Sequence, residues 1–247
     1  MTALRPIGAS ALLLGRSLRT AARRGVAWRE VLVQLHETGN RSAWLVGGGL
    51  SFFGVVMVLI AHEQARRFTS DITVVGPAYF ELLVREFGPM ISALLAAARA
   101  GAGSSAELSA MTVNEQIDAL EMSAGDPLSD LVVPRLLASL FIVPALCVIG
   151  TLAASASAVA TGNWVLGIDG YAFIDARFVD KGDILCGVAK AMLCGLYIPL
   201  AVAWRGLSAK GGAPGVGAAV TRGVVDAALG CLVIDFLVAL AFLLVRA

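Results

Sequence analysis

The stretch EFGPMISALLAAARAGAGSSAELSAMTVNEQIDALEMSAGDP, residues 86–127, joins an apolar half to an acidic half. The apolar half is compatible with lipid, whereas the acidic half is not, because a charged side chain costs roughly 2.5 kcal/mol or more at the centre of a bilayer. We therefore expect a membrane helix that delivers a short acidic helix, at about residues 107–125, into water at the membrane surface. Such an arrangement is typical of a docking element for a soluble partner.

The composition is typical of an integral membrane protein. Of the 247 residues, 58% are hydrophobic and 15% are charged, and the mean hydropathy is +0.82. Soluble domains carry about 25% charged residues. The net charge of +1 provides no dominant basic field for nucleic acid. We predict an all-α, polytopic membrane protein that does not bind nucleic acid.

Apolar runs predict about five transmembrane helices, since a span needs around 20 apolar residues. Ahead of them, residues 4–34 alternate arginines with apolar residues, which favours a helix lying in the membrane interface against anionic lipid. A plain cytosolic helix is the alternative for this segment. We divide the chain into an N-terminal interfacial region, residues 1–42, and a membrane domain, residues 43–247. The predicted spans are residues 43–61, 75–103, 132–161, 183–204 and 220–245.

The distribution of arginines predicts the orientation. Cytoplasmic segments carry an excess of Lys and Arg, and the N-terminal region is rich in arginine. With the N-terminus in the cytoplasm, five spans place the acidic helix in the cytoplasm as well and the C-terminus outside. Trp44, Trp164 and Trp204 fall at predicted span ends, where indole rings prefer the interface.

The acidic helix has its own start and stop signals. Thr112 followed by Glu115 indicates a capping box at the start, and Gly125 and Pro127 are expected to end the helix. We interpret the segment as a coupling helix for a cytosolic motor. A helix that rests on lipid is the alternative, disfavoured because the inner leaflet is anionic. The apolar stripe consists of Val113, Ile117, Leu120 and Ala124, and the carboxylates are those of Glu115, Asp118 and Glu121.

Four ionisable residues, Arg85, Glu86, Lys190 and Asp235, lie at predicted membrane depth. Such residues are rare and usually face a cavity or one another. Arg85 and Glu86 are adjacent, so we expect their side chains to point in different directions, one of them towards a lipid-headgroup pocket or a pairing network. Lys190 and Asp235 are predicted to pair across the fourth and fifth spans. Pairing for helix assembly alone and a role in transport both stay open.

No motif for catalysis or nucleotide binding occurs in the sequence. It contains neither G-x-x-x-x-G-K-[ST] nor a G-x-S-x-G elbow. Cys147, Cys186, Cys194 and Cys231 sit inside apolar runs without a C-x-x-C pair, which is typical of buried small hydrophobes. We therefore expect no catalytic residue, no metal site and no cofactor in this chain.

The sequence resembles the MlaE family of transport permeases. The resemblance covers nearly the whole chain after about residue 43 and is densest within residues 86–128. It rests on Glu86-Phe87-Gly88-Pro89, Ala97-Ala98-Arg99-Ala100-Gly101, Ala106-Glu107-Leu108, Met111, Glu115-Gln116-Ile117-Asp118-Ala119-Leu120, Met122, Asp126-Pro127-Leu128, Val133-Pro134-Arg135, Gly215-Val216-Gly217, Arg222-Gly223-Val224-Val225 and Ile234-Asp235-Phe236.

The resemblance implies a non-catalytic membrane subunit of an ABC-type phospholipid transporter in the bacterial inner membrane. In that family two copies form a dimer with a lipid pocket at their interface. Two cytosolic ATPase subunits, which bind ATP and Mg²⁺, hold the coupling helices, and a ring of MCE-domain proteins sits on the outer side. The resemblance places the ATPase contact at Glu115, Gln116, Asp118, Leu120, Glu121 and Met122.

The resemblance also assigns residues to the lipid pocket. Arg85 and Glu86 match polar residues on the helix that lines the pocket in that family. Family members often carry a glutamine at the end of the first span, and Gln64, which comes late for that position, is the candidate here. Lys190 and Asp235 match charged positions within the fourth and fifth spans.

Two other functions compete with this interpretation. An ion-coupled secondary transporter would use Lys190, Asp235 and Glu86 as an ion or proton relay, and it predicts transport without any ATPase. It gives no reason for the acidic surface helix. A non-transporting membrane scaffold predicts that changes at Arg85 and Glu86 are tolerated.

Overall fold

The computed structural model describes residues 12–17, 19–20, 27–68 and 72–246. Within these ranges the chain is helical, with short turns and no strand, which confirms the predicted all-α class. The α-helices from residue 28 onward are α1 (Trp28–Phe68), α2 (Ile72–Leu82), α3 (Gly88–Ala96), α4 (Ala102–Val113), α5 (Gln116–Met122), α6 (Val133–Thr161), α7 (Lys181–Gly206) and α8 (Gly212–Arg246).

Wider π-helical turns interrupt this series. Such turns are frequently found at functional sites. The turn Leu83–Phe87 separates α2 from α3 and contains Arg85 and Glu86, and the turn Ala97–Gly101 separates α3 from α4 and contains Arg99. Further π turns flank α6 at Leu128–Val132 and Gly162–Leu166, and 3-10 turns at Gly170–Ile174 and Ala176–Phe178 precede α7.

Four helical segments among the described residues are long and apolar enough to cross a membrane. They are α1, α6 with its flanking π turns, α7 and α8. The first, third, fourth and fifth predicted spans lie within these segments. Pro144 inside α6 and Pro199 inside α7 do not end their helices, as is common in membrane helices, where neighbouring groups compensate for the missing hydrogen bond. A multi-pass α-helical membrane protein is thereby confirmed.

The second predicted span, residues 75–103, falls in the run formed by α2, α3, α4 and the two π turns between them. This run is continuous through residues 72–113. Its longest α-helix, α4, has 12 residues, fewer than the approximately 20 that an uninterrupted span needs. A crossing by this run stays a prediction.

The predicted boundary between residues 42 and 43 lies inside α1, which has no break there. At 41 residues and 1.5 Å per residue, α1 is about 60 Å long, twice the roughly 30 Å hydrocarbon core. The predicted interfacial helix, residues 4–34, lies partly outside the described residues. Leu13, in its described part, packs against Leu136 and Leu200, so this part contacts protein as well as any lipid.

The chain divides into two compact units, each assembled from several stretches of sequence. Unit 1 comprises Met1–Ser42, Ala93–Val143 and Met192–Ile234, and unit 2 comprises Ala43–Ser92, Pro144–Ala191 and Asp235–Ala247. Each boundary falls within a helix. Unit 1 holds α4 and α5, and unit 2 holds α2 and the π turn with Arg85 and Glu86.

Small residues allow close helix packing in unit 1. Leu108 of α4, Val132 and Ala203 of α7 form a buried cluster. Gly206 lies so close to Leu108 that a Cβ there would stand 2.8 Å from the leucine side chain. The C-terminal end of α7 is thereby packed directly against α4, the helix that leads into α5.

Unit 2 packs in the same way around a separate cluster. Val58 and Ala61 of α1 meet Ala158 of α6 and Phe173 of the loop that follows. The link from α6 to α7 is ordered by its own carboxylates, because Asp169 and Asp175 accept hydrogen bonds from the backbone N–H groups of Tyr171 and Arg177 at 3.0 Å each. These contacts give the polar loop predicted at residues 162–182 a defined course.

Candidate functional site

The acidic helix α5 is shorter than the sequence indicates and starts differently. It spans Gln116–Met122, and Glu115, in the left-handed conformation at φ 59°, stands at its N-terminus without a side-chain cap. The predicted capping box is wrong. The Thr112 hydroxyl donates to the carbonyl of Leu108 at 2.8 Å and to that of Gly206 at 3.2 Å. The physical reason is that α4 continues through Thr112 to Val113. The Thr112 hydroxyl therefore bonds to a carbonyl of the preceding turn of α4 and does not cap α5.

The C-terminal end of α5 is closed by a Schellman motif. The N–H of Gly125 donates to the carbonyl of Leu120, and the N–H of Ala124 donates to that of Glu121, both at 3.0 Å. Ala124, at φ 63°, supplies the left-handed residue. Gly125 lies where a Cβ would stand 2.6 Å from the Leu120 side chain. The predicted stop at Gly125 is present, and both ends of α5 are tight turns.

The outer face of α5 is acidic and exposed. Ile117 and Leu120 are half-buried, whereas Met122 is 83% exposed. Within the described residues, none of the α5 carboxylates takes part in an ion pair. Methionine is an adaptable apolar contact, and beside free carboxylates it suits a partner with an apolar pocket and basic neighbours. The other exposed side chains at residues 115–122 are Glu115, Gln116, Asp118, Ala119 and Glu121.

A groove with a cavity of about 400 Å³ borders α5 in unit 1. Its lining includes the carboxylates of Asp118, Glu121 and Asp126, together with Arg16 and Trp204. Asp126 also organises the turn after α5, because its carboxylate accepts from the N–H of Leu128 at 3.2 Å. Asp118 and Glu121 therefore border this groove as well as solvent.

Two ion pairs brace unit 1 around α5. Arg135, which is 7% exposed, pairs with Glu107 of α4 at 2.6 Å and donates to the carbonyl of Leu131 at 2.7 Å. Arg205 of α7 pairs with Asp226 of α8 at 2.6 Å. Sequence reasoning did not identify these pairs. The sequence feature that could have indicated these pairs is a charged residue inside an apolar run, at Arg135 and at Asp226.

The predicted membrane-depth charges of unit 2 meet around Lys190. Lys190 is 1% exposed, forms an ion pair with Glu86 and lies 3.1 Å from the carboxylate of Asp235. The structure thus brings together the three charges that were expected at membrane depth on different segments. Glu86 is the partner that the predicted Lys190–Asp235 pair did not include.

Arg85 connects this centre to further carboxylates. Its guanidinium lies 2.7 Å from Glu81, 3.3 Å from Glu86 and 3.4 Å from Asp183. The expectation that Arg85 and Glu86 point in different directions is wrong. They lie in the π turn Leu83–Phe87 rather than in a regular α-helix, and the long arginine side chain folds back onto its neighbour. Glu86 therefore bridges Arg85 and Lys190.

Asp183 and Arg246 complete the network, and the sequence analysis missed both. Asp183 is fully buried, accepts from the N–H of Asp180 at 2.9 Å and lies 3.5 Å from Arg246. Arg246 also pairs with Asp180 at 2.6 Å and stacks 4.9 Å from the ring centre of Phe242. In the sequence, Asp183 marks only the predicted start of the fourth span. We refer to Glu81, Arg85, Glu86, Asp180, Asp183, Lys190, Asp235 and Arg246 as the charge network.

Gln64 does not share the contacts of Arg85 and Glu86, the other two predicted pocket residues. It is exposed on α1, and no hydrogen bond among the described residues joins it to Arg85 or Glu86. An apolar groove of about 150 Å³ in unit 2 is lined instead by Val84, Cys147, Val148, Thr151, Leu152, Ile184, Gly187 and Val188.

Comparison with known proteins gives consistent matches over most of the chain. Residues 31–241 match the family described as permease MlaE. A probable ABC transporter permease protein of Rickettsia felis is 30% identical over 210 residues, which cover 84% of this chain and 81% of that protein. The intermembrane phospholipid transport system permease protein MlaE of Haemophilus influenzae is 30% identical over 218 residues, covering 83% and 79%.

A plant protein extends the set of relatives beyond bacteria. The chloroplastic protein trigalactosyldiacylglycerol 1 of Arabidopsis thaliana is 29% identical over 219 residues. These residues cover 88% of this chain and 62% of the plant protein. The family match over residues 31–241 includes most of α1 and of α8 and all of the helices between them.

Proposed function

Because the chain belongs to the MlaE permease family of ABC transporters, we propose that it is the membrane subunit of an ABC-type phospholipid transporter. The name of the Haemophilus influenzae relative, an intermembrane phospholipid transport system permease protein, supports phospholipid as the cargo. We further propose that the N-terminus is cytoplasmic, that the C-terminus is outside and that the protein resides in the bacterial inner membrane.

The observation that carries the proposal is the exposed acidic face of α5. A charged helix that forms no ion pair with the described residues of its own chain is suited to an external partner, and an ATPase subunit is the partner that ABC permeases require. In this proposal Glu115, Asp118 and Glu121 meet basic groups of the ATPase, and Met122 enters an apolar pocket. Gln116 and Leu120 complete the contact. ATP and Mg²⁺ bind to the ATPase, and this chain has no catalytic role.

Motion of α5 has a direct route into the membrane helices of unit 1. The Thr112 hydroxyl bonds the end of α4 to the last turn of α7 at Gly206, and the Glu107–Arg135 pair joins α4 to α6. A displacement of α5 by the ATPase is therefore passed to helices on either side of α4. Ala93, Ala96 and Ala97 are buried small residues on the same run, which permit close sliding contacts.

The cargo site in this proposal is a lipid pocket between two copies of the chain. Arg85 and Glu86 contribute to it through the charge network, which holds their side chains in place, and Gln64 contributes from the exposed face of α1. The pocket opens towards a ring of MCE-domain proteins on the outer side. Narrowing and widening of the pocket, driven by ATP hydrolysis on the partner, moves lipid between the membrane and the ring.

Charge reversal on α5 tests the proposal. We expect Glu115→Lys with Asp118→Lys to abolish co-purification of the ATPase, while the membrane-inserted dimer is retained. The matched control is Glu30→Lys with Glu37→Lys, which makes the same charge change at exposed positions of α1. Co-purification that survives the α5 changes would contradict the assignment of the ATPase contact.

The charge network favours one rival function. Lys190 between Glu86 and Asp235 is the kind of intramembrane arrangement that serves proton or ion relays. An ion-coupled secondary transporter built on these residues would move lipid in response to an ion gradient without the ATPase. Vesicles that contain this subunit alone and carry an imposed proton gradient distinguish the two functions, since our proposal predicts no transport in them.

A further inference from the structure

Arg99 is a solitary charge in an apolar part of the chain. Between Glu86 and Glu107 it is the one charged residue in the sequence. It lies in the π turn Ala97–Gly101 and its side chain is exposed. Among the residues that the structure describes, none forms a hydrogen bond or an ion pair with Arg99. It differs in this respect from the arginines at positions 85, 135 and 205, which are all paired.

The contacts of Gly101 place the turn that holds Arg99 against the C-terminal part of the membrane-spanning α7. A Cβ on Gly101 would stand 3.4 Å from Val202 and 3.6 Å from Ile198, both of the membrane-spanning α7. Glu107 follows Arg99 by eight residues, a rise of about 12 Å along a helix. A charge at this depth is costly unless an anionic group accompanies it.

The carboxylates of unit 1 do not supply that anion. Glu107 is already paired with Arg135, and Asp226 is already paired with Arg205. The other described carboxylates of this unit form no ion pair among the described residues: Glu30 and Glu37 lie in the first three turns of α1, and the rest lie on α5 or in the turns beside it, beyond the end of α4. A second copy of this chain would bring the same set, in which Glu107 and Asp226 are already paired. A lipid phosphate is the anion that a membrane provides in quantity.

The surface around Arg99 has room for a headgroup. Ala98 and Gly103 are exposed, and a Cβ built on Gly103 would meet nothing within 4 Å. Gly103 lies four residues after Arg99, about one turn along the run, so the position that faces Arg99 on this side carries no side chain of its own. A planar guanidinium binds phosphate oxygens through paired N–H donors.

We propose that Arg99 binds the phosphate of a phospholipid in the leaflet on the α5 side of the membrane. The contact favours phosphate-bearing lipids over lipids of equal chain length that lack phosphate. This inference rests on the proposed function, because the bound lipid belongs to the same class as the cargo. The site consists of residues of unit 1, whereas the charge network consists of residues of unit 2.

Lipid titration of the purified full-length chain, followed by native mass spectrometry, tests the proposal. The probes are dioleoylphosphatidylethanolamine and a dioleoyl monogalactosyl lipid without phosphate. We expect Arg99→Gln to bind the phospholipid about tenfold more weakly, the loss expected for one charge-assisted contact, and to bind the galactolipid as wild type does. Arg222→Gln, which removes an exposed arginine without an ion pair among the described residues, should leave both affinities unchanged.

Three results would overturn the proposal. The first is equal phospholipid affinity in wild type and Arg99→Gln. The second is competition by free inorganic phosphate as effective as that by the phospholipid, which would mean that the site takes the anion rather than the lipid. The third is a loss of dimer in Arg99→Gln with unchanged lipid binding, which would place Arg99 in a protein interface.

A second measurement covers the case in which Arg99→Gln does not fold. A photo-crosslinking benzoylphenylalanine at Gly103 keeps Arg99 in place and should label bound phospholipid, whereas labelling of a second copy alone contradicts the proposal. Neither measurement uses the ATPase or transport. Failure of the α5 contact would therefore leave these results unchanged, and the two proposals fail separately.

Discussion

The carboxylates of α5 and the buried carboxylate of Asp183 in the charge network have the same chemistry and opposite surroundings. On α5, Asp118 and Glu121 are exposed and have no ion-pair partner among the described residues. In the charge network, Asp183 is fully buried and lies near Arg85 and Arg246. An unpaired exposed charge costs little in the isolated chain and is free to meet a partner, whereas a buried charge must be paired where it stands. The difference separates a surface for assembly from a fixed internal framework.

The largest effect expected from this comparison concerns Lys190. Lys190→Met leaves Glu86 and Asp235 without their shared cation, and loss of one partner of a buried ion pair typically costs about 3–5 kcal/mol. We expect a large fall in the thermal midpoint of unfolding of the detergent-purified protein. Asp118→Asn on α5 should change the midpoint little, because surface substitutions usually stay within about 0.5 kcal/mol.

Neutralising the stranded carboxylates sharpens the same test. Lys190→Met combined with Glu86→Gln and Asp235→Asn removes the uncompensated charges and should recover much of the lost stability. If the three changes simply add, the residues do not act as one network, and the contrast with α5 would lose its basis.

A smaller effect is expected at Asp183. Asp183→Asn keeps the shape of the side chain but removes the charge that faces Arg85 and Arg246, and hydrogen bonds to charged groups contribute about 1.5–3 kcal/mol. Unfolding in denaturant should report a loss of that order. Asp180→Asn is the control, since Asp180 is an exposed partner of Arg246 and its loss should cost less. Equal losses would show that burial does not set the strength of these contacts.

The smallest effect concerns the turn that closes α5. Ala124 holds a left-handed conformation that glycine adopts without strain. Ala124→Gly should therefore stabilise the turn by about 1 kcal/mol and slow amide hydrogen exchange at Gly125, whose N–H bonds to Leu120. Gly125→Ala should act in the opposite direction because its Cβ meets Leu120. Faster exchange in Ala124→Gly would contradict the Schellman assignment.

Features with strong local patterns could be predicted from the sequence. Long apolar runs are sufficient to indicate α6, α7 and α8, because length and hydropathy are properties of one segment. The existence of α5 follows from the acidic residues that interrupt such a pattern. Lys190 and Asp235 could be singled out because each is a charge inside an apolar span.

Features that depend on two segments meeting could not be predicted. The capping box at Thr112 fails because α4 extends past it, and the hydroxyl finds Gly206 instead. Asp183 resembled an ordinary polar residue at a span end, and its burial depends on Arg85 and Arg246, which are distant in sequence. Gln64 matched a family position by type alone, and its exposure on α1 follows from the helix register. The π turns could not be predicted, because a pattern with a period of 3.6 residues does not distinguish them from an α-helix.

The central claim is that an external ATPase drives this permease through α5, and reconstituted transport tests it most directly. Vesicles with the permease and its ATPase should transfer labelled phospholipid only when ATP is present. Vesicles with the permease alone, or with Glu115→Lys and Asp118→Lys, should not. Transfer by the permease alone, or ATP-driven transfer by the double variant at the wild-type rate, would contradict the account.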